Sequence, residues 1–343
     1  MNSIQCDLHI HSIYSDGSLY PAEILDFAKT KGLKLISITD HDCLGAFTNN
    51  LQKEDIKVIP GIELKTIHQI FDKTIKGLEI LGYGFSIEKL KKQIEPLRQR
   101  KINCAEQYLK NFTKLSAEEL KSAIFKLNKP LEQKTLRDFF EFKANKVLTD
   151  EEYAHFLENS APTALEIAKF ICRTFFDAPY DPTSKYVRFK KEFSNIFTYP
   201  ETDVKIPDLN EAIKIVKNAN GIAILAHPAV PGVYNVISQE WLRPKEEWFK
   251  SKPEPGKISP FELIKTLKNN GLDGIEIYNY SGVMKFDEEI KIRINLYFKE
   301  LAKKLDLITT WGSDCHGQQE WGLQIGTFGS SYEELGPFLS KCS

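Results

Sequence analysis

Two rhythms of apolar and polar positions alternate along the first 83 residues, period two in short runs and a helical period between them. Cys6–His11 reads as a strand, and Pro21–Lys31 as a helix opened by its proline and closed by Gly32. Leu33–Asp40 predicts a second strand and Lys57–Glu63 a third. Ile75–Tyr83 predicts a fourth, reached through a hairpin around Asp72-Lys73. From about Glu88 to Phe193 the strand rhythm stops. Ser116-Glu119, Thr149-Glu152 and Thr163-Glu166 are capping-box pairs, and Ile102, Ala105, Leu109 and Phe112 form one apolar stripe at helical spacing. The alternation then resumes. Leu209–Asn218, the segment opened by Ser259-Pro260 and closed by Gly271, and Tyr297–Lys304 predict helices; Gly221–Ala226, Gly274–Tyr278 and Leu307–Gly312 predict strands. Residues 229–258, with Trp241 and Trp248, read as a long loop that could serve as a lid, an interface or a packed cover.

Strands separated by helices imply a largely parallel sheet with crossover connections. Seven strands and one helical interruption point to a barrel of β/α units; an open doubly wound sheet is the competing topology. The chain has 343 residues, 42% hydrophobic and 27% charged, which excludes collagenous, disordered and disulfide-scaffold classes. A net charge of −1 removes any bulk attraction to nucleic acid or anionic membrane. Between Lys89 and Lys146, however, fifteen Lys/Arg face seven Asp/Glu, a surplus of eight read as a solvated helix face or a phosphate-facing patch. No apolar run approaches the roughly 18 residues of a membrane helix. The polar N-terminus and the six scattered cysteines predict a reduced, cytoplasmic protein without a signal peptide.

Five of the seven histidines fall at predicted strand ends. His9 and His11 lie two apart, on one face of a strand together with Asp7. Asp16 follows in a Ser-Asp-Gly turn; Asp40-His41-Asp42 ends the second strand, Glu63 the third, and Glu79 lies late in the fourth. His227 ends another strand, Glu276 sits within Gly-Ile-Glu-Ile-Tyr, and Asp314 and His316 follow the last strand. In a parallel barrel the C-terminal strand ends share one face. So many carboxylates there repel unless divalent cations neutralise them. Mixed imidazole and carboxylate donors suit Mn, Fe or Zn more than Mg. His68 and His155 read as surface or core residues, and Cys315 as packing. P-loop, GxGxxG, HExxH, GxSxG and four-cysteine zinc patterns do not occur.

Asp7-Leu8-His9-Ile10-His11, Ser15-Asp16-Gly17, Thr39-Asp40-His41-Asp42, Pro60-Gly61-Ile62-Glu63, Leu225-Ala226-His227-Pro228 and Gly312-Ser313-Asp314-Cys315-His316-Gly317 together resemble the polymerase and histidinol phosphatase (PHP) family. The resemblance implies a distorted (β/α)7 barrel from residues 1–87 and 205–343, with a mainly helical insert at 88–204. It implies two or three divalent ions: His9, His11, Glu63 and Asp314 around the first, Glu63, Glu79 and His227 around the second, Asp16, His41 and His316 around the third. Asp7 and Asp40 would orient imidazoles. Asp16, His41, His227 and Asp314 would carry the chemistry, attack of metal-bound hydroxide on a phosphate ester, with His227 or His41 protonating the leaving oxygen. Arg98, Arg100, Lys185 and Arg188 resemble substrate-phosphate binders. Two departures stand out: Glu79 occupies a position usually histidine in the subgroup, and Ala229-Val230-Pro231 replaces a Gly-Arg-Tyr run after Ala226-His227-Pro228. The substrate implied is a small phosphomonoester such as a nucleoside 3′,5′-bisphosphate; a 5′–3′ exoribonuclease on short RNA is the alternative. A non-catalytic metal-stabilised module and C–N bond amidohydrolysis are readings of other kinds. No membrane association and no obligate protein partner are expected.

Overall fold

Strand β1 (Cys6–Ile10) is buried on both faces, and β2 (Leu35–Ile38) and β3 (Lys57–Val58) pair with it in parallel as a three-stranded sheet ordered β1-β2-β3. The computed structural model describes residues 4–48, 51, 55–116, 118–120, 127–128, 130–176, 184–198, 204–230, 233–250, 252–280, 287–317 and 324–342. A second sheet holds β4 (Gly61–Ile70), β5 (Lys73–Tyr83), β6 (Ile222–Leu225), β7 (Gly274–Tyr278) and β8 (Ile308–Gly312) in that order. The helices are α1 (Pro21–Thr30), α2 (Ile87–Lys114), α3 (Leu136–Ala144), α4 (Asp150–Asn159), α5 (Ala164–Phe175), α6 (Ser184–Glu192), α7 (Leu209–Asn218), α8 (Pro260–Asn269), α9 (Glu288–Lys304) and α10 (Gly336–Lys341).

Two features correct the expected barrel. The predicted third strand is two. Pro60 lies between β3 and β4 without an N–H to give a ladder, and β4 continues to Ile70. A tight hairpin at Phe71-Asp72 then reverses the chain, so within the second sheet β4–β5 and β5–β6 are antiparallel and only β6–β7–β8 run parallel. The two sheets meet through isolated bridges, Ile10 with Cys315 and His41 with Glu63. Among the described residues no ladder closes the ring, so the architecture is a mixed α/β fold and not a demonstrated (β/α)7 barrel.

The bridges nevertheless bring the ends of β1, β2, β4 and β8 together, and that is where the predicted ligands lie. One large apolar cluster fills the space under the second sheet, from Leu8 and Ile62 to Tyr297 and Phe338. The described residues of the 229–258 segment belong to it through Val233, Val236, Ile237, Trp241 and Trp248. Trp241 is fully buried there, and Arg293 of α9 donates to the carbonyls of Trp241 and Arg243, so the described part of the loop is a packed cover. Helix α9 starts far earlier than the Tyr297 expected, because Asp287 caps it by accepting from Ile290 N–H.

Helices α2 to α6 build a second apolar cluster that also takes in Ile13, Tyr14 and Cys43, residues flanking the ligand motifs. Ser116-Glu119, Thr149-Glu152 and Thr163-Glu166 exchange capping-box hydrogen bonds as expected, and Thr135-Asp138 adds another. No helix among the described residues is long and apolar enough to cross a membrane, and all six cysteines are free. Phe112 is fully buried in the second cluster, 5.0 Å from the Phe175 ring. Phe112→Ala is expected to cost about 3–5 kcal/mol of stability, read as a lowered thermal midpoint. A change within about 0.5 kcal/mol would show that this cluster does not anchor the helices.

Candidate metal centre

Alternation along β1 sends Leu8 and Ile10 into the core and carries His9 to the opposite face, with His11 just past the strand end. The last loop is stitched to this strand: Asp314 N–H donates to His9 O at 2.8 Å and His11 N–H to Cys315 O at 2.9 Å. Gly312 makes that approach possible, since a Cβ there would lie 2.2 Å from His9 Cβ. Three non-glycine residues at the site hold positive φ: Asp42 at 52°, His227 at 26° and Asp314 at 55°. Backbone strain of this kind concentrates where side chains are held for function.

All nine predicted ligand side chains converge. His9 Nε2 lies 3.2 Å from Glu63 Oε2 and 3.3 Å from Asp314 Oδ1; His11 Nε2 lies 3.2 and 3.1 Å from the same two oxygens. The two Nε2 atoms are 3.2 Å apart and face a common point. Glu63 Oε1 reaches His227 Nε2 at 2.8 Å, and Glu79 Oε2 reaches the same nitrogen at 3.4 Å. Asp16 lies 3.5 Å from His11, His41 and His316. The ligand atoms of His11, Asp16, His41 and His316, of His9, His11 and Asp314, and of His41, Glu63 and Glu79 each cluster tightly enough to hold a metal ion. Buried His227 Nδ1 and His41 Nδ1 have no hydrogen-bond partner among the described residues.

The electrostatics follow from this crowding. Burial opposes the charged form of His9, but Glu276, Asp314 and Glu63 outweigh it and hold it well above its usual value. His11 is pushed up to about 10 against burial by Asp314, Glu63 and Asp16. Burial works against ionised Asp16, Glu63 and Asp314, yet the imidazoles hold all three below the usual carboxylate range. Among the described residues, protons on histidine are the main counter-charge within the cluster, and divalent ions would take their place. The donor set fits such ions.

The residues that orient the ligands differ from those expected. Asp7 accepts from Ser313 N–H at 2.8 Å and Gly326 N–H at 2.9 Å; Asp40 accepts from Ser12 N–H at 2.7 Å and from the Ser12 and Ser15 hydroxyls. Both fix loops, and neither bonds an imidazole. Glu276 does: its Oε1 is 2.7 Å from His9 Nδ1 and its Oε2 accepts from His227 N–H at 2.8 Å. Tyr278 donates to Asp314 Oδ2 at 2.6 Å. A glutamate in an otherwise apolar, buried strand was the available signal, because a buried charge demands a partner.

The helical segment reaches the site through residues not anticipated. Lys143 donates to Ser15 O and pairs with Glu166, and Lys101 Nζ pairs with Asp42 Oδ2 at 2.7 Å. Lys169 is lowered to about 8 by burial and by Arg173. Of the expected phosphate binders, Arg98 is buried and committed to Glu95 and to the carbonyls of Leu157 and Ser160, which ties helices to one another. Arg100 is half-buried on the same helix, Arg188 is exposed, and the side chain of Lys185 lies outside the described residues.

The fold and cluster define a metal-dependent phosphoester hydrolase. The PHP domain family matches residues 7–180, half of the chain, and the protein belongs to that family. It is similar to a phosphoribosyl 1,2-cyclic phosphate 1,2-diphosphodiesterase of Eggerthella lenta, 22% identical over 91% of this chain and 94% of that one. A 5′-3′ exoribonuclease of Haemophilus influenzae is 24% identical over 93% and 92%. A 3′,5′-nucleoside bisphosphate phosphatase of Chromobacterium violaceum is 51% identical over 61 residues, 17% of this chain and 21% of that one. A structure from Bifidobacterium adolescentis, named for metal-dependent phosphoesterases, shares the fold with a TM-score of 0.63 at 18% identity, covering 98% of this chain and 96% of that one.

Glu276→Ala is expected to lower affinity for Mn²⁺ about 10–100-fold, measured by calorimetry on the metal-free protein. Unchanged affinity would remove Glu276 from the ligand-orienting role. Because protonated His9, His11 and His227 must each lose a proton to ligate, metal affinity should rise with pH from 6 to 8. The heat of Mn²⁺ binding should also vary with the ionisation heat of the buffer; a buffer-independent heat would contradict proton-linked binding.

Proposed function

We propose that the protein hydrolyses a phosphate ester of a nucleotide carrying a second phosphate, a nucleoside 3′,5′-bisphosphate being the simplest such substrate. The observation that carries this reading is the convergence of His9, His11, Glu63 and Asp314 on one point, with Glu79–His227 and Asp16–His41–His316 adjoining it. In this reading those three groups hold two or three ions of Mn, Fe or Zn. Bound there, such ions would supply an activated water and offset charge growing on the phosphoryl oxygens.

The chain's own groups do the rest. Glu276 and Tyr278 fix His9 and Asp314 before substrate arrives. Whichever of His41 and His227 is not engaged as a ligand can give a proton to the leaving oxygen. Lys169, whose charge interacts with Asp16, and its neighbour Arg173 come from the helical segment that we treat as an inserted domain and are suited to the second phosphate. Similarity along nearly the full chain to a phosphodiesterase and an exoribonuclease, and locally to a bisphosphate phosphatase, supports ester hydrolysis on a nucleotide. It also keeps short 5′-phosphorylated RNA as a second reading.

Phosphate release from adenosine 3′,5′-bisphosphate with Mn²⁺ is expected from the wild type and should fall to background in His9→Ala and Asp314→Asn variants. Release retained by either would overturn the ligand assignment. An ammonium with a pKa of about 8 is charged below that pH and neutral above it. Accordingly kcat/KM should decline above pH 8, and Lys169→Arg should abolish that decline. The same decline in Lys169→Arg would place the titrating group elsewhere.

A further inference from the structure

The turn that carries Asp16 is held from two sides. On the sheet side, Asp40 accepts from Ser12 N–H and from the Ser12 and Ser15 hydroxyls. On the helical side, two successive carbonyls of the turn are taken. Ala161 N–H donates to Tyr14 O at 2.9 Å, and Lys143 of α3 donates to Ser15 O. The Tyr14 hydroxyl is also tied, 2.8 Å from His155 Nε2 of α4. Lys143 has a second partner, Glu166 of α5, whose other oxygen accepts from Thr163 N–H in the capping box. One ammonium thus joins α3, the first turn of α5 and the peptide next to Asp16.

The His41 loop is held in a similar way. Lys101 of α2 pairs with Asp42 Oδ2 at 2.7 Å, while Asp42 Oδ1 accepts from Lys65 N–H at 3.0 Å. Asp42 N–H donates to Glu63 O at 2.9 Å, and the residue keeps a φ of 52°. A backbone in that region persists only where its surroundings hold it.

By charge alone, both lysines are badly placed. An ammonium near a cation site repels the ion, and a Lys143 side chain only 9% exposed bears a desolvation cost as well. Each lysine is paired with a carboxylate, so an arriving ion meets a nearly neutral pair. What the pairs contribute is position. Asp16 and His41 belong to one group of ligand atoms with His11 and His316. Among the described residues, neither lysine bonds to His9, Glu79, His227 or Asp314.

We propose that Lys143 and Lys101 are positioning residues for the ion held by His11, Asp16, His41 and His316. The helical segment thereby governs occupancy of that one site and leaves the neighbouring ligands alone. This role is geometric and independent of which ester is cut.

Equilibrium dialysis of full-length, metal-free protein against graded Mn²⁺, with bound metal counted, tests it. The binding step missing from His316→Ala is the one that belongs to this group, because His316 joins no other. Lys143→Met/Glu166→Gln removes one pair without changing net charge, and glutamine keeps the capping box. This variant should weaken that step about tenfold or more and leave the remaining binding within about twofold of wild type. Lys101→Met/Asp42→Asn should do the same, since asparagine tolerates the positive φ and can still accept from Lys65 N–H. In Lys143→Met alone, loss of a positive charge would by itself tighten Mn²⁺ binding, so weakening there reports geometry. Thermal midpoints of the metal-free variants separate loss of fold from loss of the site. Unchanged or tighter binding in folded lysine variants overturns the proposal, as does equal weakening of every step. A His316→Ala protein that binds as many ions as wild type overturns it too.

Discussion

The arrangement of this protein depends on one electrostatic constraint: five imidazoles and four carboxylates share a nearly dry space at the ends of β1, β2, β4 and β8. Neither kind of group is stable there alone. Against burial, the facing histidines hold Asp16, Glu63 and Asp314 ionised, and the facing carboxylates hold His9, His11 and His227 protonated. A set of charges that satisfies itself this tightly holds its geometry before any ion arrives. That preorganisation explains features that would otherwise be costs, such as positive φ at Asp42, His227 and Asp314, and the buried Glu276 held between His9 and the His227 backbone.

The same constraint explains how the helical segment is joined to the rest. Its apolar cluster includes Ile13, Tyr14 and Cys43, and its lysines 101 and 143 reach Asp42 and the Ser15 carbonyl. Each contact lands within two residues of a ligand, His41, His11 or Asp16. Strain at the β1 and β2 loops is therefore supported from the helical side, and movement of these helices would be felt at the ligand set. Coupling of this kind is packing and charge acting over a few ångströms, and it needs no longer pathway.

How much was legible in the sequence follows from what each signal measures. Strand ends and paired histidines are local, so His9, His11, His41, His227 and His316 could be read directly, and their meeting followed from the resemblance. The sheet pairing was not local. Nothing in residues 57–83 alone says that β5 turns back antiparallel on β4, beyond the hairpin at Phe71-Asp72, and the expected parallel ring gave way to two sheets. Asp7 and Asp40 looked like partners of imidazole because they neighbour histidines in sequence. The partner is instead Glu276, 267 residues from His9, and only the fold brings them together. Arg98 illustrates the reverse error: a cation in a basic stretch whose bonds all go to its own helices and their ends.

Charge placement around the cluster ties these threads together. Glu79 adds a carboxylate where an imidazole would have been neutral when ligating, and the loop after His227 offers the apolar Val230. Val230 is not idle: its Cγ2 lies 3.5 Å from where a Cβ on Gly77 would stand, so it packs against the bulge in the β4–β5 ladder that turns Lys76 outward. An extra negative charge on β5 is thus matched by cations on the same hairpin face, Lys65 across from it and Lys76 three residues before it. Since an anion responds to the summed field and not to which loop carries the charge, the lysines of this hairpin face count toward the field beside Glu79 just as a cation on the His227 loop would.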